Sequence, residues 1–223
     1  MLENVIDTRL RPVRAKRRRL HWLLGGLLAV LLLGLWQASG TQVSNLGSVQ
    51  QMNKHGVYSA WAKGEVMLLV RHAERCDRSN NACLNDPTGI TVDGSHAAAA
   101  VGEGIRRLGL GTADLLSSPE VRTRQSAFFI FGKAIETQDW LVQCDGTFAD
   151  SAFAHKREDR NLVLVTHSGC IDQLERQLNV SGGQRGSGYA SALFVTKGSD
   201  GQPRILGQLN AKQWRELVSS TGQ

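Results

Sequence analysis

Two short apolar runs each end on a histidine. Glu65–Val70 (EVMLLV) leads into Arg71-His72-Ala73-Glu74-Arg75, and Asn161–Thr166 (NLVLVT) leads into His167-Ser168-Gly169. A third run, Asp114–Ser117, is followed by Ser118-Pro119-Glu120-Val121-Arg122-Thr123. Arginine presents a planar fork of N–H donors that matches the oxygens of a phosphate. Histidine, with an ordinary pKa of about 6.5, serves near neutral pH as an uncharged nucleophile or as a stabilising cation. Two histidines and two arginines, each just past an apolar run, therefore suit the handling of a phosphoryl group.

The elements between these blocks say how they would meet. Apolar runs of four to six residues read as buried strands. Helices are expected over Ser95–Leu108, with Ser95 as cap and Gly109 as stop, over Glu120–Phe131 after Pro119, over Cys170–Leu178 and over Lys212–Val218. Trp140–Gln143 is a third strand candidate. Ala192–Thr196 and Arg204–Leu209 flank Gly198-Ser199-Asp200-Gly201, a hairpin signal. Asp77–Gly94 and Phe148–Arg160 read as loops. Strands alternating with helices imply an α/β fold, a three-layer α/β/α sandwich with a mostly parallel central sheet. In such sheets ligands lie beyond the carboxyl ends of the strands, where these blocks fall.

Charge and composition remove other classes. Four cysteines in 223 residues are too dilute for a disulfide-built scaffold. The net charge of +6 comes from 26 basic and 20 acidic residues. Residues 1–40 hold seven of the former and two of the latter, so residues 41–223 carry 19 against 18, or +1. The basic character belongs to the N-terminus, which disfavours nucleic acid as a partner. There Arg14–Arg19 is a basic cluster, followed by the apolar run Leu20–Trp36. Basic residues stay cytoplasmic during insertion, so the chain beyond the apolar run is expected in the periplasm. Residues 1–40 thus read as a signal-anchor or a signal peptide, a hydrophobic helix whose residues 20–36 engage the inner membrane. The interfacial Trp22 and Trp36 and the run's length favour the anchor; Ala38-Ser39-Gly40 would suit cleavage. Residues 41–64, polar and without strong periodicity, read as a tether, leaving 65–223 as the domain.

LLVRHAE, SSPEVRTRQSA and LVLVTHSG, in this order, resemble the histidine phosphatase superfamily over residues 65 to about 180. GITVDGSHAAAAVGEGIRRLGL resembles the family's Thr-x-x-Gly helix entry. RHAERCDRSNNACLNDPTGIT resembles its lipopolysaccharide core heptose(II)-phosphate phosphatase branch, cysteine positions included. The resemblance implies phosphomonoester hydrolysis through a phosphohistidine, with no metal and no cofactor. His72 is then the nucleophile, while Arg71, Arg122 and His167 hold the phosphate oxygens. The substrate is a phosphorylated small molecule or a glycolipid, with a heptose phosphate of the lipopolysaccharide core foremost. An exported phosphate-binding module, or a histidine phosphatase of another specificity, is the alternative. Glu74 is expected either to orient an arginine of the phosphate site or to face solvent. The proton donor to the leaving group is expected at Asp145, with Asp150 and Glu74 in reserve. Gln125 and Ser126 are assigned to helix packing. Cys76, Cys83, Cys144 and Cys170 form an even set in a domain read as exported, so disulfides are expected. Three pairings are possible. Cys76–Cys83, closing a short loop beside the nucleophile, and Cys144–Cys170, linking two strand-end regions, are the ones expected.

Overall fold

The computed structural model describes residues 21–28, 30, 40–111, 113–198 and 200–220. The chain divides at Gly40 into two units. In the first, residues 21–28 and 30 are helical and exposed. The rest of the apolar run lies outside the described residues, and the expected anchor helix with it. Among the described residues no helix is long and apolar enough to cross a membrane.

The second unit, Thr41–Gln223, is built on a six-stranded sheet. Its strands are β1 (Val66–Arg71), β2 (Asp114–Ser117), β3 (Glu136–Thr137), β4 (Leu162–Thr166), β5 (Ala192–Lys197) and β6 (Pro203–Leu209). Their spatial order is β3-β2-β4-β1-β5-β6. β1 and β4 are apolar up to their last residues, Arg71 and Thr166, because both their faces are covered. Val66, Leu68 and Val70 of β1 and Val163 and Val165 of β4 enter one core, while Met67, Leu69, Leu162 and Leu164 enter the other.

The first core is closed by α3 (Val92–Leu108), α4 (Val121–Phe131) and α7 (Ala211–Ser220) through Val101, Ile105, Ile130 and Trp214. The second is closed by α5 (Phe148–His155) and α6 (Ser168–Gln177) through Phe148, Ala152, Ile171 and Leu174. The small residues of α3 permit its close packing. A Cβ on Gly102 would lie 2.0 Å from the Ile130 carbonyl oxygen, and one on Gly104 would lie 2.2 Å from the Trp214 ring.

Several expectations are corrected. The sheet is mixed rather than mostly parallel: β1–β4, β2–β4 and β2–β3 are parallel, whereas β1–β5 and β5–β6 are antiparallel. The hairpin read in the sequence docks its first strand against central β1. Residues 41–64 are no tether. They contain α1 (Val49–Lys54) and α2 (Val57–Ala62) and bury Leu46, Met52, Val57 and Trp61 in the first core. The Asn161 side chain joins this segment to the sheet, donating to the Trp61 carbonyl (2.8 Å) and accepting from the Val66 N–H (3.0 Å).

Trp140–Gln143 is not a strand: Asp139–Val142 forms a 3-10 turn, and the edge strand is the two residues upstream. Helix α3 starts three residues before Ser95, because the Thr91 hydroxyl accepts the Gly94 N–H at 2.9 Å and is the cap. Phe148–His155, read as loop, is helical, with Phe148, Ala149 and Ala152 on its buried face.

Candidate active site

The three parallel strands end level. Arg71 lies opposite Thr166, and Ser117 opposite Val165. The next residues of each strand, His72, His167 and Ser118, therefore emerge at one edge of the sheet. There they border an open cleft of ≈ 510 Å³ whose walls include Arg71, His72, Arg122 and His167. Sequence spacing brings only Arg71 and His72 together; parallel register adds Arg122 and His167. Helix α4 delivers Arg122 from its first turn, and α6 begins immediately after His167, its N-cap.

His72 is buried, 3% exposed. Its backbone N–H donates to the Thr166 carbonyl at 2.9 Å, locking it beside β4. Its ring Nδ1 lies 2.8 Å from the Ala73 carbonyl oxygen. A carbonyl can only accept, so Nδ1 carries the proton and Nε2 keeps the lone pair. Burial first, then the nearby His167 ring and the charges of Arg71 and Arg122, hold the imidazole pKa down at about 3, against the opposing pull of the Ala73 hydrogen bond. Near neutral pH this ring is uncharged and nucleophilic.

His167, with its ring centroid 5.4 Å from that of His72, is also held neutral. Burial and then Arg122 bring its pKa to about 4. Its Nε2 is 2.9 Å from the Ser118 hydroxyl, and its Nδ1 is 3.4 Å from Nη2 of Arg122. A dianion entering between the rings would reverse the electrostatic balance and favour the cationic form.

The arginines are oriented before any ligand arrives. Arg71 donates to the Ser187 carbonyl at 2.7 Å and lies over the Tyr189 ring, 4.0 Å from its centroid. Arg122 donates to Glu120 at 2.9 Å. Nε of each arginine is buried with no partner, a deficit that the oxygens of an anion would relieve. Among the described residues no group of three or more His, Cys, Asp or Glu side chains gathers that could hold a metal ion.

The carboxylates expected in the site lie elsewhere. Asp145 is exposed and does not border the cleft. Its Oδ1 accepts from the Thr147 hydroxyl (2.7 Å) and N–H (2.9 Å), which hold its pKa below the usual range. Asp150, exposed on the first turn of α5, does not border it either. Glu74 accepts from Thr91 (2.7 Å) and Asn81 (2.9 Å), so it ties the loop after β1 to the start of α3 instead of touching the phosphate pocket. The carboxylate that does face the cleft is Glu120. It lies inside the Ser-Ser-Pro block, where sequence alone assigned no role to it or to Ser118. Tyr189 gave no signal, since it sits in an irregular loop that reaches the cleft only because β5 runs antiparallel to β1.

Gln125 and Ser126 of α4 brace the same walls. Gln125 accepts the Ile90 N–H at 2.8 Å and donates to Asn85 at 2.7 Å. The Ser126 hydroxyl accepts the Ala73 N–H at 2.8 Å and donates to the Arg122 carbonyl at 2.6 Å. The cysteines pair as Cys76–Cys83 and Cys144–Cys170. The second joins one side of the cleft to the first turn of α6, just beyond His167.

This sheet with its helices is the histidine phosphatase fold. The chain aligns with a structure described as the protein histidine phosphatase SixA complexed with tungstate, with a TM-score of 0.52 and 13% identity, over 66% of this chain and 97% of that one. It aligns with a putative phosphohistidine phosphatase SixA from Agrobacterium tumefaciens with a TM-score of 0.50 and 18% identity, over the same shares. No family model matches the chain. In sequence it is 33% identical over 188 residues to the lipopolysaccharide core heptose(II)-phosphate phosphatase of Salmonella typhi, spanning 81% of this chain and 88% of that protein. The same figures hold for its counterpart from Salmonella typhimurium. The chain belongs to the lipopolysaccharide core heptose(II)-phosphate phosphatase family, and it is a phosphatase.

Proposed function

We propose that the protein is a periplasmic phosphomonoesterase that removes phosphate from a heptose of the lipopolysaccharide core through a phosphohistidine at His72. The observation that carries the chemistry is the tautomer of His72: with Nδ1 bonded to the Ala73 carbonyl, the lone pair stands on Nε2, in a cleft that Arg71 and Arg122 also line. Nε2 attacks phosphorus, the P–O bond to the sugar breaks, and the N–P bond forms. Water then attacks phosphorus, the N–P bond breaks with its electron pair returning to Nε2, and the water's proton goes to the carboxylate that protonated the sugar oxygen. Arg71, Arg122 and His167 hold the oxygens on which charge is spread in both steps.

The leaving oxygen needs a proton, and Glu120 is the carboxyl group facing the cleft. In the empty site it is paired with Arg122 at 2.9 Å. A phosphate that takes the arginine fork releases Glu120 from that pair and leaves its carboxyl group to serve the leaving oxygen. Glu120→Gln is therefore expected to slow hydrolysis of an alkyl phosphate at least about tenfold, on the scale of general acid catalysis. An aryl phosphate, whose leaving group departs without help, should be affected far less. Equal losses on both substrates would remove Glu120 from this role.

The substrate and location rest on the family membership, on the basic N-terminus with its apolar run, and on the two disulfides, which persist in oxidising compartments. Purified full-length protein incubated with heptose-phosphorylated core oligosaccharide should release inorganic phosphate and leave the heptose unphosphorylated. A reporter that works only after export should be active when fused after Gln223. An intact heptose phosphate would overturn the substrate, and reporter silence would overturn the location.

A further inference from the structure

Phosphoryl transfer at His72 uses two arginines, yet four border the cleft. Arg75 and Arg78 also line it, on the segment that leaves β1. That segment is braced. Cys76 begins a 3-10 turn, Cys76–Arg78, and its backbone N–H donates to the Gly89 carbonyl at 3.0 Å. The Cys76–Cys83 disulfide closes the loop, and bridges pair Arg75 with Ile90 and Cys83 with Thr91. The two guanidinium groups are therefore carried by a pinned strap rather than by a loose surface turn.

Their electrostatic surroundings separate them from the inner pair. His72 feels Arg71, Arg122 and His167, whereas Arg75 acts one step further out, on Arg71 and His167. Arg75 is already matched, since its Nε and Nη2 hold the two Asp77 oxygens at 2.8 and 2.5 Å. Arg78 is exposed, and among the described residues it has no carboxylate within ion-pair distance. A phosphomonoester offers three non-bridging oxygens, which Arg71, Arg122 and the histidines already serve. A braced, unmatched guanidinium at the rim of the same cleft is surplus to one phosphate.

We propose that Arg78, held in place by this strap, forms an anion subsite, so that the preferred substrate carries a second anionic group, a phosphate or a carboxylate, in addition to the phosphate removed at His72. The inference rests on the phosphomonoesterase reading, and it adds the substrate's charge pattern to it. Asp77 hydrogen-bonds Arg75 and not Arg78, whose charge it feels only at longer range.

The test uses the full-length protein and three sugars: glucose 6-phosphate, glucose 1,6-bisphosphate and 6-phosphogluconate. At low salt, kcat/KM for a doubly anionic sugar should exceed that for glucose 6-phosphate by about fivefold, the scale of one part-exposed charge pair. The bisphosphate and the sugar acid separate a phosphate-reading subsite from a carboxylate-reading one. In Arg78→Ala the ratio should fall to about one, Arg78→Lys should keep part of it, and about 0.5 M salt should erase it. A ratio of one in the parent, or one that Arg78→Ala leaves intact, overturns the proposal. Affinities of His72→Ala for the same sugars read the subsite without turnover. A binding preference there with no hydrolysis by the parent would sink the phosphatase chemistry and keep the subsite. Hydrolysis without preference would do the reverse.

Discussion

Replacing His72 by alanine is expected to lower turnover of any phosphomonoester by about four orders of magnitude or more, and to abolish acid-labile phosphate on the protein. Among the described residues no other side chain stands ready to replace it. His167, its nearest ring, points its Nε2 at Ser118 and its Nδ1 at Arg122. The low proton affinity of His72 fixes the pH behaviour as well. Its lone pair is lost only as pH falls through about 3, so the nucleophile is fully available at pH 5, where an ordinary histidine would be largely protonated. Single-turnover phosphorylation at pH 5 and pH 7, with a substrate whose own ionisation is accounted for, should show the same intrinsic rate. Turnover by His72→Ala within tenfold of the parent would disprove the mechanism. A steep fall between pH 7 and 5 would show a histidine of ordinary basicity.

Arg122→Ala is expected to lower kcat by about 10²–10³, by analogy with the removal of one oxyanion donor. The substitution leaves His72 correctly placed, because Ser126 bonds to the backbone carbonyl of Arg122 and not to its side chain. It removes the fork that stabilises the spreading charge, and it frees both Glu120 and Nδ1 of His167 from their shared partner. Arg122→Lys should recover only part of the rate, since a point charge cannot span two phosphate oxygens. Steady-state kinetics on an aryl phosphate, with thermal unfolding as a control for folding, reads this directly. An Arg122→Ala enzyme of unchanged kcat would move charge stabilisation onto Arg71 and His167 alone.

The parts of this site legible in the sequence were those whose position comes from burial. Strands β1, β2 and β4 are short and apolar because helices cover both faces of the sheet, so their ends, and the residues just past them, could be read directly. The features that could not be read were decided by contacts remote in sequence or by local hydrogen bonding. The segment 41–64 hides sparse anchors, Leu46, Met52, Val57 and Trp61, among polar residues that show no regular period. The Trp140–Gln143 run has one fully buried residue, Leu141, whose carbonyl accepts from Thr166, and a turn satisfies that contact as well as a strand. Asp145 and Glu74 looked suited to the site by proximity along the chain. Asp145 is captured by the residue two positions on, as aspartate in turns commonly is. Glu74 is captured by the helix cap Thr91. Tyr189 could not be found without knowing which way β5 runs.

The Ser126 hydroxyl links two parts that the reaction needs in fixed register. It accepts from the N–H next to His72, the proposed nucleophile, and donates to the carbonyl of Arg122, the proposed phosphate clamp. Loop and helix are thereby separated by the width of one oxygen atom, and neither can drift without drawing the other along. The link sets one spacing between the backbone beside His72 and the backbone of Arg122. Arg78 at the rim takes no part in this link, so its replacement leaves the spacing between the two parts intact.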